Sequence, residues 1–262
     1  MTRPLPTSID ELREAIAEAL AAKEPVEVVA GGSKRSLGRP LQLPRILDLS
    51  RLAGIRDYQP SELVLTAGAA TPLDEIEAAL SQAGQMLAFE PPNWTLLRGA
   101  LATPLPRATL GCVLACNLSG PRRIKAGAAR DHFRGCRAVS GRAEVFKAGG
   151  KVVKNVVGYD LTHLLVGSEG TLAIITKIIL RLIPKPPMHA TIRATFQRVE
   201  DAVNGVTEII RERVVPAAVE LVDGPSLEAV ARNLQVRSLA PEGTAAILLV
   251  EVDGVPAAVA DE

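Results

Sequence analysis

Three stretches of this chain carry residue types that could act on a ligand. The first is Ala30-Gly31-Gly32-Ser33-Lys34, which follows directly on the apolar run Val26–Ala30. Glycines after a strand let backbone N–H groups approach an anion and point inward as a nest, although a plain turn has the same composition. The spacing matches neither G-x-G-x-x-G nor G-x-x-x-x-G-K-[ST], which argues against a nicotinamide Rossmann site or a P-loop ATPase. The second stretch runs from Thr109 through Gly111, Cys112, Cys116, Asn117, Ser119 and Gly120 to Arg123. Its small residues suit a helix lying against a flat ring or another backbone, and a tightly packed core helix has the same signature. The third holds Lys151, Lys154, Asn155, Gly158 and Asp160, then Gly167 to Leu172, with the apolar Leu161–Val166 between them. A polar, glycine-rich loop between apolar segments is a natural place for ligand contacts.

Other reactive side chains offer less. His132, His163 and His189 are scattered without metal-site spacing. Cys112, Cys116 and Cys136 are too few for an iron–sulfur cluster, and small buried side chains are the expected role. Arg122, Arg123, Lys125 and Arg130 form a basic run that could contact phosphate, pair with Asp131, face a partner or lie solvated. With 30 basic and 29 acidic residues the net charge is +1, which gives no reason to expect nucleic acid or an anionic membrane as partner. Three cysteines fit a reducing cytoplasm. The N-terminus has no apolar signal core, and no run approaches a membrane span.

The elements that must position these residues follow from periodicity. Ser8 and Glu11 have capping-box spacing, and Ile9, Leu12, Ile16 and Leu20 continue as one helical stripe. Ile46–Leu49 and Leu63–Ala67 read as strands, and Pro72 to Gly84 as a helix. Leu110–Leu118 is apolar nearly all round and reads as a buried helix. Ala143–Lys147 and Lys151–Val153 around Gly149-Gly150 read as a hairpin. Ala173–Ile183 reads as a strand with Lys177 and Arg181 on one face and Ile178, Leu180 and Leu182 on the other. Pro184, Pro186 and Pro187 then mark a boundary, with a domain over 1–187 and a partial α+β module over 188–262. In that module Val199–Val214 reads as a helix with Val199, Val203, Val206 and Ile210 on its apolar stripe, followed by strand, helix and strand. Pro256–Glu262 reads as the start of a further helix, so the chain is expected to stop inside an element.

Taken in order, Ala30–Ser33, Thr109–Arg123, Gly127–Asp131, Lys154-Asn155, Gly158–Leu161 and Gly167–Leu172 resemble the vanillyl-alcohol-oxidase/PCMH-type FAD-binding family. The resemblance covers about Val26–Pro187. Gln85–Pro92 and Leu118–Asp131 bring the chain closer to the FAD-binding subunits of glycolate oxidases. It implies an α+β fold of two FAD-binding subdomains and an incomplete cap. It also implies flavin-dependent oxidation of a 2-hydroxy acid such as glycolate to glyoxylate, with a second flavoprotein subunit and an iron–sulfur subunit as partners. Localisation would be cytoplasmic, with any membrane association through the complex. A self-sufficient 2-hydroxy-acid dehydrogenase of the D-lactate type and a non-catalytic assembly subunit stay open as alternatives.

By the same resemblance Gly31, Gly32, Ser33 and Lys34 would wrap the FAD pyrophosphate, and Gly68 and Ala69 would line the nucleotide. Thr109, Gly111, Asn117 and Gly120 would run toward the flavin ring, with Gly127 and Asp131 in the neighbouring loop. Gly170, Leu172 and Ile174 would close over the adenine and ribose side. Covalent members place His or Cys in defined loop positions, and the first loop here has neither, so FAD is expected to be non-covalent. No catalytic base is nominated. The chain departs from the family at Ala30 and Cys112, where Gly is usual, at Glu169, and in a longer Thr95–Arg107 segment.

Overall fold

The computed structural model describes residues 3–35, 39, 42–92, 107–151, 158–212 and 214–261. The chain divides into two compact units, Met1–Gly120 with Gly127–Pro184, and Pro121–Ala126 with Lys185–Glu262. Among the described residues no helix is long and apolar enough to cross a membrane.

The first unit starts with the helix Ile9–Ala22. Ser8 Oγ accepts the Glu11 N–H at 3.1 Å, while the Glu11 carboxylate accepts from the Thr7 N–H at 2.7 Å and from the Thr7 hydroxyl. The box therefore closes one residue further back than the sequence spacing implies. Leu12, Ala15, Ile16 and Ala19 are buried, but Leu20 is exposed. At 3.6 residues per turn Leu20 lies about 80° round the helix from Leu12, off the centre of the buried stripe. Next come β1 (Val26–Val29) and β2 (Arg45–Asp48), which pair in parallel. Asp48 is buried and accepts from Arg3 at 2.6 Å.

The main sheet has the order β3-β4-β8-β6-β7 and is antiparallel throughout. Its strands are β3 (Ile55–Gln59), β4 (Val64–Gly68), β6 (Phe133–Ser140), β7 (Val145–Gly149) and β8 (Ala173–Arg181). A short pair, β5 (Gln85–Met86) with β9 (Ile183–Pro184), stands apart. Sequence periodicity missed β6, where Arg134, Gly135 and Arg137 interrupt the apolar alternation. β7 pairs back onto β6 through the turn at 141–144, and residues 152–153 of the expected Lys151–Val153 strand lie outside the described residues. β8 is central, and both of its faces are covered. Ile178 and Leu180 are fully buried on one face, and Ile175 and Ile179 are buried beside the half-buried Lys177 on the other, where Arg181 at the strand end is exposed. Ile178, Leu180, Phe89, Phe133, Leu110 and Leu114 form the centre of one continuous core.

The helix expected over Leu110–Leu118 is shorter, Leu110–Ala115. Asn117 takes φ 49°, a left-handed conformation that Asn tolerates better than most residues, and this turns the chain away. Nor is the helix buried all round: Leu110, Val113 and Leu114 face the core, while Cys112 and Cys116 are half-buried.

The second unit is a three-stranded antiparallel sheet of order β10-β12-β11, with β10 (Met188–Phe196), β11 (Ala218–Asp223) and β12 (Ala246–Gly254). The helices Val199–Arg211, Gly224–Asn233 and Pro256–Asp261 connect and follow these strands. The stripe expected to be buried on the first of these helices is turned outward, with Val199, Val203 and Ile210 exposed. Ala202 is its buried residue, and Gly205 approaches Phe196 and Leu248. A small-residue face lets the helix lie close to the sheet, and close packing outweighs the larger valines on the other side.

This unit also takes in Arg122 and Lys125. The Arg122 guanidinium, nearly buried, pairs with Glu251 and Asp253, and Lys125 reaches Asp253 at 2.8 Å. The basic run is thus partly an internal ion-pair cluster, while Arg123 and Arg130 are exposed.

Candidate functional site

The expected site residues fall into three groups, all in the first unit. In the first group, the loop after β1, the end of β4 and the entry to the Leu110–Ala115 helix meet. Arg107 N–H donates to Gly31 O at 3.0 Å, and Gly111 N–H donates to Ala69 O at 2.7 Å. Gly31, Gly32, Ser33, Lys34, Gly68, Ala69, Thr109 and Gly111 come together here. A Cβ on Gly31 would stand 1.8 Å from Arg107 O, and one on Gly111 would stand 2.8 Å from the Ala69 methyl. Those glycines are required by the protein's own chain crossings, in addition to any ligand. Gly32, with φ 75°, supplies the left-handed turn.

Two features suit this group to an anionic, oxygen-rich ligand. Lys34 Nζ lies 3.3 Å from Ser33 Oγ, so an ammonium and a hydroxyl stand side by side at the loop. The Thr109 hydroxyl is buried and has no hydrogen-bond partner among the described residues. An unpaired buried hydroxyl costs roughly 1–3 kcal/mol, a cost that a ligand oxygen at this position removes. Thr66 Oγ1, within β4, is the other buried hydroxyl in this condition.

The second group lies past the other end of the same helix. Asn117 Oδ1 accepts the Arg130 N–H at 3.3 Å and Ser119 Oγ the Ala129 N–H at 2.9 Å. The Asp131 carboxylate turns back onto the Ala128 N–H at 2.8 Å beside Gly127, so it holds its own loop. His163 bridges Asp160 and the Arg130 carbonyl. The His163 N–H and ring hold the Asp160 carboxyl below its ordinary range. Gly120 donates to Phe89 O at 2.7 Å. This histidine link was not foreseen from sequence.

Gly170, Leu172 and Ile174 form the third group and line a groove of about 330 Å³. Its opposite wall carries Ile16, Leu20, Val26 and Val28, which explains why Leu20 is exposed yet apolar. The groove does not include the first group among its lining residues, but β1 forms part of its wall and leads straight into the loop at 30–34. Lys154 and Asn155, and most of Thr95–Arg107, lie outside the described residues.

A further cluster was missed by sequence reading. The Cys112 thiol hydrogen-bonds with Cys116, Ser33 and Lys34, and together these bring it down to about 7 against the cost of burial, the Cys116 contact contributing most. The same contact, with burial, pushes Cys116 up. Burial raises Cys136 to about 11. Four-residue spacing on a helix was the available signal for the pair, and their small size drew the reading toward core packing. Among the described residues no group of three or more His, Cys, Asp or Glu could hold a metal ion.

The fold and these sites define a flavoprotein class. Residues 4–149 match the FAD binding domain family, and residues 185–262 match the C-terminal domain of FAD linked oxidases. The chain belongs to this PCMH-type FAD-binding family, whose cofactor is FAD. It is 39% identical over 197 residues to glycolate oxidase subunit GlcE of Escherichia coli (strain K12), covering 75% of this chain and 53% of that protein. It is 31% identical over 246 residues to D-lactate dehydrogenase of Archaeoglobus fulgidus, covering 94% and 52%. The chain thus spans about half the length of these curated relatives. Among solved structures, alkyldihydroxyacetonephosphate synthase superposes with a TM-score of 0.75 at 20% identity, over 99% of this chain and 48% of that one; that likeness concerns the fold alone.

Proposed function

We propose that this chain is the FAD-binding subunit of a multi-subunit 2-hydroxy-acid oxidase, with glycolate as substrate and glyoxylate as product. The observation that carries this reading is the 39% identity to a glycolate oxidase subunit over 197 residues, 75% of this chain. The buried, unpartnered Thr109 hydroxyl beside the Gly31–Lys34 loop supports cofactor binding at that point. Bound FAD supplies a two-electron acceptor, and the protein sets its position and electronics.

In this reading Gly31, Gly32 and Ser33 cradle the pyrophosphate through backbone donors, and Lys34 neutralises its charge. Gly68, Ala69 and Gly111 leave the path beside it clear, and Thr109 donates its hydroxyl to a cofactor oxygen. Asn117, Gly120, Gly127 and Asp131 shape the loop toward the ring. The apolar groove of Leu172 and Ile174, with Gly170 at its mouth, takes the adenine side. FAD is held without a covalent bond. A second flavoprotein subunit and an iron–sulfur subunit complete the electron path, and the assembly works in the cytoplasm or at a membrane surface through those partners. The domain boundary of the whole protein falls at the proline-rich stretch after Leu182.

The match to a D-lactate dehydrogenase over 94% of the chain favours a second reading, a dehydrogenase that needs no partner. Absorption spectroscopy before and after acid precipitation, followed by glycolate and D-lactate assays with a dye acceptor, tests both. Flavin colour that moves to the supernatant, without turnover until partner subunits are added, is expected. Turnover by the isolated chain selects the second reading. A colourless chain that takes up no FAD overturns both and leaves an assembly subunit.

A further inference from the structure

The strand registers of the first unit bring three cations into one row. Lys147 on β7 stands opposite Arg137 on β6, and Arg137 stands opposite Lys177 on β8. Lys177 in turn faces Gly68 on β4, which has no side chain. Directly opposed residues on neighbouring strands share one face of a sheet. The three cations therefore lie on the face away from Cys136, Ile178 and Ala67, the adjacent row, which belongs to the core. Arg137 and Lys147 are exposed, and Lys177 is half-buried. On one side of the row Val139, Val145 and Ile174 join the apolar cluster of the Ile9–Ala22 helix. On the other the chain passes close over β6, where a Cβ on Gly135 would stand 2.5 Å from Gly150 N.

Like charges directly opposite one another destabilise a sheet, and this row has no answering acid. None of the three cations makes an ion pair or side-chain hydrogen bond among the described residues. In the neighbouring row Asp57 on β3 is already paired with Lys151. The residues outside the described set contain no Asp or Glu except the final Glu262.

We propose that the row Lys147, Arg137 and Lys177 is a docking strip for an acidic helix of a partner protein. Its charge is unopposed within the chain, so the complementary charge comes from outside. Small ligands favour concave sites, and the groove beside Gly170 and Leu172 includes none of the three cations. A broad surface partner suits this exposed strip better. Neighbouring strands lie about 4.8 Å apart, so the row spans about 10 Å. Carboxylates one turn apart on a helix lie about 5–6 Å apart, and three of them span about 10–12 Å. Such a helix laid across the strands meets the three cations one to one. The Arg137 guanidinium, in the middle, offers two parallel N–H donors to the central carboxylate. Complementarity of this kind speeds encounter and fixes the register of docking. The strip needs neither flavin nor the partner subunits proposed above, so its failure leaves that reading untouched.

The test uses the full chain at low salt and a fluorescein-labelled, alanine-rich peptide with three glutamates spaced four residues apart. Binding is read by fluorescence anisotropy. Arg137→Gln, or glutamine in place of the central glutamate of the peptide, should each weaken binding about three-fold, the worth of one exposed ion pair. Both changes together should weaken it little further, because they remove the same pair. Lys185→Gln removes the same charge from an exposed site in the second unit and should leave binding unchanged. In urea without peptide, Arg137→Gln should keep or raise the unfolding midpoint, since it relieves like-charge opposition. No binding, an equal loss in Lys185→Gln, or independent losses in the combined change overturns the strip. A lowered midpoint in Arg137→Gln reveals a counter-charge within the chain and overturns it as well. Tripolyphosphate that binds more tightly than the peptide, and loses its affinity in Arg137→Gln, makes the row a small-anion site and overturns the helix as its occupant.

Discussion

The two units handle burial differently. In the first, the central strand β8 is apolar on both faces, and Ile178 and Leu180 are fully buried in a core continuous from Leu65 to Leu182. In the second, a small sheet is closed partly by alanines, and a nearly buried guanidinium, Arg122, is held between Glu251 and Asp253. Apolar packing tolerates an occasional unpaired hydroxyl, as at Thr109, and so leaves room for a binding function. A buried charge cluster tolerates no missing member, because each remaining ion would stay desolvated.

Substitutions can break or sharpen this contrast. The largest effect is expected for Ile178→Ala, which empties the centre of the main sheet and should cost about 4 kcal/mol in urea unfolding. A cost below about 1 kcal/mol would mean that this sheet is not close-packed.

Arg122→Ala should cost about 3 kcal/mol by taking from Glu251 its Arg122 partner and leaving Asp253 with Lys125 alone. The same cluster should also confer a pH dependence. Burial pushes the Asp253 carboxyl up, but Lys125 and Arg122 together outweigh it and leave it below its ordinary 3.8. The folded state therefore binds that proton less readily than the unfolded state. Its stabilisation is present above about pH 4 and is lost as pH falls through the lower folded value. Unfolding curves between pH 2 and 6 should flatten in Arg122→Ala; an unchanged slope would take the cluster out of the account.

Thr109→Val should leave the unfolding midpoint unchanged or slightly raised, since it removes a buried hydroxyl without a partner. It should weaken FAD binding roughly tenfold, the equivalent of one hydrogen bond of about 1–1.5 kcal/mol. Equal flavin affinity in a titration would remove Thr109 from the site. The smallest effect belongs to Val203→Ser, on the outward face of the Val199–Arg211 helix, with a change within about 0.5 kcal/mol. A loss of 2 kcal/mol or more there would restore the buried stripe that the sequence pattern suggests.

Much was legible in the sequence because it is locally encoded. Ser8 caps its helix with a donor three residues on, and Pro72 and Gly84 bracket another helix through their own backbone preferences. Val26–Val29 runs straight into Gly31 and Gly32, and the motifs from Ala30 to Leu172 stand in the order shared with the FAD-binding family. Tertiary structure alone decided what depends on partners far along the chain. The valine stripe of the Val199–Arg211 helix looks like its core face until Ala202 and Gly205 find a sheet that they can approach more closely. β6 needed β8 to complete hydrogen bonds that its interrupted apolar pattern could not announce. Arg122 meets Asp253 across 131 residues, and the Cys112 thiol meets the ammonium of Lys34. Helical and strand periods are written within a few residues, whereas the pairing of charges, thiols and faces is fixed only when distant segments are packed together and water is excluded from between them.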